Sequence, residues 1–351
     1  MDKTEDIKLI EYDGNRQNNF TLIRIIFAWS VLYGHSYAIQ KMSGIKDPLG
    51  ILFQGSTWIG DVAVNGFFAI SGFLVVASFI KRGFKDYVIS RALRIFPALF
   101  VCVFISVFIL GPMLTNLNPS IYFFKKQTYK YLINSLPFIN IEFNLPGLFQ
   151  NNTRHAVNGS LWTLIVELRC YFLLALAGFL GLLKNRTIAN CGILAIFLFG
   201  FYFFSEIPFL GIGANIAWPR LSFYFLLGVF FYINRENVIL DIKLASLALF
   251  LAFSSFGKEW FLYIFPFSFV YLIFYITYST PFINIDKKIG DISYGLYIYA
   301  WPVQQIVASF FPWFKPSGII LLSSIIVIPI AYLSWHYIEK PALTFKQQLL
   351  G

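Results

Sequence analysis

Residues 24–35 read RIIFAWSVLYGH, an apolar run closed at one end by an arginine and at the other by a histidine. At 100° and 1.5 Å per residue, the step from Arg24 to His35 makes about three turns, so the two share one helix face about 16 Å apart. The run around them, 19–39, has the length of a membrane crossing. In such a helix an arginine or a histidine costs a few kcal/mol unless it meets a partner or water, and is by default a sign of a site. The plainer alternative is a snorkelling Arg24 and a His35 hydrogen-bonded between helices.

The rest of the chain shares this apolar character. Its 351 residues are 58% hydrophobic, 20% aromatic and only 13% charged, where soluble domains carry about 25% charge. Mean hydropathy is +0.69. The 42 Phe and 20 Tyr suit a lipid-facing helical bundle, and no alternating segments of the outer-membrane barrel type are visible. The net charge of +10 is not a nucleic-acid footprint, because the basic residues lie between apolar runs and set topology. Cys102, Cys170 and Cys191 fall within apolar runs without metal-ligand spacing, so neither disulfide nor metal is expected. The N-terminus, MDKTEDIKLIEYDGNRQNN, is polar and mixed in charge, and the first apolar run lacks a small-x-small exit. No cleavable signal is expected, and that run should remain as the first helix.

Apolar runs near bilayer length predict helices at 19–39, 58–80, 95–114, 160–183, 187–204, 216–233, 242–256, 260–278, 292–311 and 317–337. The fold class is therefore all-α, a polytopic membrane bundle of about ten transmembrane helices, the seventh of them short. With the N-terminus inside, 16 Lys and Arg fall on the internal side, eight outside, and Arg24, Arg169 and Arg220 within helices. Positive-inside then puts both termini in the cytoplasm, with a tail over 1–18 and an external segment over 115–159. The densest basic stretch, KRGFKDYVISRALR (81–94), reads as an internal loop. Without a visible repeat or a Pro- or Ser-rich linker, 1–351 reads as one membrane domain. The external segment holds Pro119, Pro137 and Pro146 and the stretch YKYLINSLPFINI, read as a short interfacial helix. Loops of that length are often functional.

Five further stretches, and Arg220, carry polar chemistry. GDVAVNGFFAISGFLVV (60–76) sets Asp61 and Asn65 four apart and supplies Gly66, Ser71 and Gly72, small residues that let helices approach closely. SRALRIFPAL (90–99) puts Arg91 and Arg94 on one face, fit to hold phosphates by paired hydrogen bonds or to anchor the helix. VNGSLWTLIVELRCYF (157–172) offers Asn158 or Ser160 as a cap, and Asn158-Gly159-Ser160 also fits an N-glycosylation sequon. In it Glu167 and Tyr171 share a face while Arg169 points away. A carboxylate at the depth of Glu167 needs a partner, His35 or Arg24 from another helix, or belongs to a structural ion pair. Arg220 follows Trp218-Pro219 at the external start of the sixth predicted helix. DISYGLYIYAWPVQQ (291–305) and SWHYIEKPAL (334–343), with His336 and Glu339 three apart, read by themselves as interface belt and anchors.

Taken together these strings resemble acyltransferase family three, the integral-membrane O-acyltransferases of surface glycans, over almost the whole chain. The matching pieces are Arg24 and His35 with ten residues between them, FFAISGFL, RALRIFP, SLWTL with the following Glu167 and Tyr171, SYGLYIY and IEKP. A histidine often seen in the family after the tyrosines of SYGLYIY is Ala300 here, so no role passes to that position. The chain ends soon after IEKP and looks like the stand-alone form, without an appended esterase-like domain.

The resemblance implies transfer of an acetyl group from cytoplasmic acetyl-CoA, not permanently bound, to a hydroxyl of an extracytoplasmic or lipid-linked glycan such as O-antigen, capsule or exopolysaccharide. It also implies residence in a bacterial cytoplasmic (inner) membrane, with lipid, acetyl-CoA and the glycan as partners. His35 is the expected general base, Glu167 its support, and Arg24 a third catalytic residue. Arg91, Arg94, Ser71, Trp162, Tyr171, Arg220 and Tyr297 are the candidate substrate-binding residues. A covalent acyl-histidine relay is a second mechanism on the same residues. The rival function is a proton-coupled glycolipid or ion transporter, which also uses intramembrane Arg, His and Glu.

The topology is tested by labelling single cysteines. Lys85→Cys and Lys126→Cys should react with a membrane-impermeant thiol reagent from opposite sides, and labelling of both from one side would refute the arrangement.

Overall fold

The computed structural model describes residues 7–15, 17–40, 45–138, 140–203 and 217–350. The predicted external segment 205–215 lies outside them. The apolar runs form helices α1 (Phe20–Ile39), α2 (Ile59–Ile105), α3 (Trp162–Phe179), α4 (Arg186–Phe203) and α5 (Ala217–Ile233). They continue as α6 (Ile242–Ser254), α7 (Phe261–Ser279), α8 (Ser293–Phe310) and α9 (Pro316–Ser334), and beyond the last predicted run the more polar segment Lys340–Leu350, expected as part of the internal tail, is also helical (α10). Five helical stretches among the described residues are long and apolar enough to cross a membrane: Phe20–Ile39, Ile59–Leu114, Gly159–Phe179, Phe261–Ser279 and Pro316–Lys346. The chain is an all-α integral membrane protein. α6, at 13 residues, spans about 20 Å, less than a hydrocarbon core of about 30 Å.

The basic stretch 81–94 departs from the expected loop. It is helical, part of a single α2 that runs from Ile59 to Ile105 with one interruption, at Gly83 (φ 80, ψ 179). The reason is local: Ala, Leu, Arg and Lys are good helix formers, and only the glycine admits the left-handed φ of the break. Two wider π turns follow the same rule as each other. Over Ser106–Leu110 the Gly111 N–H reaches back to the Ser106 carbonyl, and over Trp335–Glu339 the Lys340 N–H reaches back to that of Trp335. A proline, Pro112 or Pro341, comes next. Its ring crowds the carbonyl four residues back and it brings no N–H, so the preceding turn opens.

Packing divides the chain into two compact units whose segments alternate along the sequence. The first comprises 1–27, 48–87 and 170–288. In it α2 and the parallel α5 meet backbone to backbone, because a Cβ on Gly72 would land on the Phe225 carbonyl and one on Gly228 on that of Ala69. Phe20, Phe73, Phe231, Tyr232 and Phe274 form an aromatic cluster beside this contact. A second cluster seats α6 on α7 through Ala252, Phe256, Phe261 and Phe265. The N-terminal segment is strapped to the turn after α5: Leu9 N–H donates to Val238 O at 2.8 Å and Leu240 N–H to Ile7 O at 2.9 Å. Asp13 completes the strap between Lys81 Nζ (2.5 Å) and Arg235 Nε (3.3 Å).

The second unit comprises 28–47, 88–169 and 289–351. Its centre is α8, in which buried residues run around the whole circumference from Ser293 to Ala308. α9 packs against it where Gly295 faces Ala331. The segment 115–159 is folded and not a loose loop. Tyr122 and Tyr131 are fully buried within it, the Tyr122 hydroxyl donates to Val107 O at 2.9 Å, and Asn134 exchanges two bonds with the Glu142 backbone. Burial pushes both phenols up from their ordinary pKa, so they stay neutral. In place of one interfacial helix, YKYLINS forms the end of an α-turn and a 3-10 turn, stopped before Pro137, with Tyr131 and Asn134 turned inward.

The glycine contact gives a stability test. Gly72→Val or Gly228→Val should lower the melting temperature of the detergent-purified protein, since overpacking costs about 1–3 kcal/mol even where it meets side chains instead of backbone. Gly192→Ala, inside α4 and with a Cβ that meets nothing within 4 Å, should not lower it, since alanine is the better helix former by about 0.5–1 kcal/mol.

Candidate functional site

The polar residues of α8 are not an interface belt. Tyr297, Tyr299, Gln304 and Gln305 are buried, the two glutamines completely, so their polar atoms need partners inside the protein. Tyr294 and Tyr299 donate to the carbonyls of Ile95 and Ala98 at 3.0 and 3.4 Å. The Tyr297 hydroxyl pairs with Thr163 Oγ1 at 2.7 Å, beside the Ser160 carbonyl. Gln305 Nε2 donates to the Arg154 and Ala156 carbonyls at 2.6 Å, and Asn152 Nδ2 returns a bond to Gln305 Oε1 at 2.9 Å. Asn158 caps the turn that leads into α3, accepting from Ser160 N–H at 3.1 Å, as its sequence suggests. Its Nδ2 donates to Ile298 O at 2.8 Å and the side chain is buried, so the sequon is not an acceptor in the folded protein.

His35 stands among these groups. It is 9% exposed, with its ring edge-on to Trp301, centroids 4.7 Å apart at 78°. Trp301 is itself held, its Nε1 donating to Ala156 O at 2.9 Å while its ring lies against Gly159, where no Cβ would fit. Three residues along α8, Gln304 Nε2 donates to Leu32 O and Ser36 Oγ, both at 2.7 Å. α8 therefore grips α1 on either side of the histidine. Glu167, half-buried in α3, is within electrostatic reach of the Tyr294 and Tyr297 hydroxyls. Trp162, also half-buried, opens α3. Ala300 is buried and carries no polar group.

Arg94 lies at the other end of α8. Its Nη2 is 2.7 Å from Asp291 Oδ2 and its Nη1 3.7 Å from Glu339 Oε2. The guanidinium also stands over the rings of Tyr294 and Trp335, at 5.9 and 5.7 Å. Ser334 Oγ donates to Glu339 Oε1 at 2.9 Å. Glu339, only 1% exposed, is thus no surface anchor. His336 bonds instead to the Tyr332 carbonyl through Nδ1 at 2.9 Å. Arg91 is half-buried one turn before Arg94.

The remaining predicted residues belong to the first unit. Arg24 Nη2 donates to Thr21 Oγ1 at 3.2 Å. Ser71 Oγ and the Tyr171 hydroxyl are 2.7 Å apart, and Tyr87 donates to the Tyr171 carbonyl at 2.7 Å. Arg220 gives both terminal nitrogens to Asp61, at 2.5 and 2.7 Å, a bidentate pair that ties α5 to α2. The sequence reading missed Trp301, Gln304 and Asp291. The signal for the first two was an indole and an amide standing in an apolar helix where leucine would have served.

Comparison with known proteins concerns the chain as a whole. A family described as "Acyltransferase domain" matches residues 17–336. The chain is 32% identical to a protein of Shigella phage Sf6 named "O-acetyl transferase", over 94% of this chain and 97% of that one. It is 24% identical to "Nodulation protein 10" of Rhizobium leguminosarum bv. viciae, over 97% of each. No solved structure matches.

The support of Trp301 by Gly159 is open to test. Gly159→Ala should destabilise the purified protein by about 1–3 kcal/mol, seen as a lower melting temperature. Adding Trp301→Phe, which removes the overlapping part of the ring, should restore part of the loss, and a neutral Gly159→Ala would refute the contact.

Proposed function

The chain belongs to this family of acyltransferases, and from that membership we propose that it is a membrane O-acetyltransferase. It takes an acetyl group from cytoplasmic acetyl-CoA and places it on a hydroxyl of an extracytoplasmic or lipid-linked glycan, such as O-antigen, capsule or exopolysaccharide. The observation that carries this reading is the 32% identity, along nearly the full length of both chains, to a protein named O-acetyl transferase. In this reading the enzyme sits in the bacterial inner membrane with both termini in the cytoplasm, in keeping with the distribution of Lys and Arg.

His35 is the general base. It takes the proton of the acceptor hydroxyl as the oxygen attacks the thioester carbonyl; the carbon–sulfur bond breaks, and the departing thiolate takes up a proton. Support of the imidazole by Trp301 and by the Gln304 grip on α1 favours a fixed ring orientation, and positioning is a large part of such catalysis. Glu167 stabilises charge beside the tyrosines, Arg24 and Arg91 attract the donor's phosphates, and Trp162, Tyr171, Ser71 and Tyr297 are the proposed substrate-binding residues. Arg220, engaged with Asp61, contributes by holding α5.

The test is made on purified, folded protein. It should consume acetyl-CoA when glycan acceptor is present, and mass spectrometry of the surface polysaccharide should lose one acetyl increment when the protein is absent. His35→Ala and His35→Gln should each abolish transfer, by roughly a thousandfold or more, while donor binding persists. Near-parental transfer by folded His35→Ala would remove the histidine from the mechanism.

A further inference from the structure

Arg91 and Arg94 stand one turn apart on α2, and as a sequence motif they invite one shared role, the capture of phosphate. The surroundings of Arg94 speak against that role for it. Arg94 is 18% exposed at the side chain and faces Asp291 at 9% and Glu339 at 1%. One positive charge thus meets two carboxylates, a pocket with no surplus of positive charge to offer a phosphate. Its contacts reach different elements. Asp291 precedes α8 and accepts from Ser293 Oγ at 2.5 Å; Glu339 lies in the π turn after α9, bonded to Ser334 and packed beside Gly295. Tyr294, whose ring lies by the guanidinium, donates to the carbonyl of Ile95, the residue that follows Arg94.

We propose that Arg94 is a positioning residue and not a phosphate ligand: through Asp291 and Glu339 it fixes the start of α8, and with it the tyrosines, and leaves donor capture to Arg91. The inference rests on the acetyl-CoA reading above. It divides the labour of a paired motif, and predicts that the two arginines fail in different ways when replaced.

The experiment measures donor KM and kcat, with acceptor saturating, for Arg91→Gln, Arg94→Gln, Asp291→Asn and the Arg94→Gln/Asp291→Asn double variant. Asparagine keeps the capping capacity of position 291. Arg91→Gln should raise donor KM about tenfold or more, as loss of a charged phosphate contact does. Arg94→Gln should lower kcat about tenfold with donor KM within about twofold, Asp291→Asn should match it, and the double variant should lose no more than the worse single one. Arg94→Gln that raises donor KM as Arg91→Gln does, with Asp291→Asn near parental, overturns the proposal. So does a double variant whose losses multiply. Where Arg94→Gln does not fold, Arg94→Lys takes its place, since lysine keeps the charge but not the two-pronged geometry. The same four proteins are also compared by melting temperature. If the unmodified protein consumes no acetyl-CoA, the donor reading falls and the melting cycle decides alone: non-additive losses at 94 and 291 uphold the positioning pair, and additive ones overturn it.

Discussion

Buried from Ser293 to Ala308, α8 must satisfy inside the protein the hydroxyls, amides and indole it carries there. That requirement organises the second unit. The tyrosines at 294 and 299 reach backbone carbonyls of α2 on either side of Pro97. Tyr297 fixes the start of α3 through Thr163 and Ser160. Trp301 and Gln305 draw residues 154–159 across the helix. Gln304 then holds α1 at Leu32 and Ser36. Each bond alone is worth about 1 kcal/mol, but leaving any one unmade costs more than making it gains.

The first unit is held together by other means. Gly72 and Gly228 remove the side chains that would keep α2 and α5 apart, and dispersion between close backbones replaces directional bonding. Aromatic rings fill the space beside the contact, and the Asp61–Arg220 pair adds a polar tie between α2 and α5. The histidine of the proposed mechanism stands among the hydrogen bonds around α8, and a fixed ring is what a proton transfer at hydrogen-bond distance requires.

Much of this was written plainly in the sequence. Apolar run lengths gave the helices to within a few residues, the small residues of 66–72 announced the close packing, and Asn158 announced its cap. The basic stretch 81–94 misled because a high density of charge reads as solvent, while its residues are helix formers apart from Gly83. The tyrosines of α8 misled because a membrane-interface belt and a buried network draw on the same amino acids. His336 and Glu339 were set on one face by counting 3.6 residues per turn, and the π turn between them breaks that count. Asp61 and Arg220 are joined across a separation of 159 residues, a distance at which no local pattern carries information.

The strap at the N-terminus has a consequence for how the chain is made. Leu9 and Ile7 reach their final bonds only with Val238 and Leu240, so these early residues leave the ribosome without their partners. At a synthesis rate of about 5–20 residues per second, the delay before those partners exist is roughly 10–50 s. Throughout that interval the acid and base of the strap, Asp13 on one side and Arg235 on the other, belong to a molecule only partly translated. The tie closes a body whose earliest helix has already entered the bilayer.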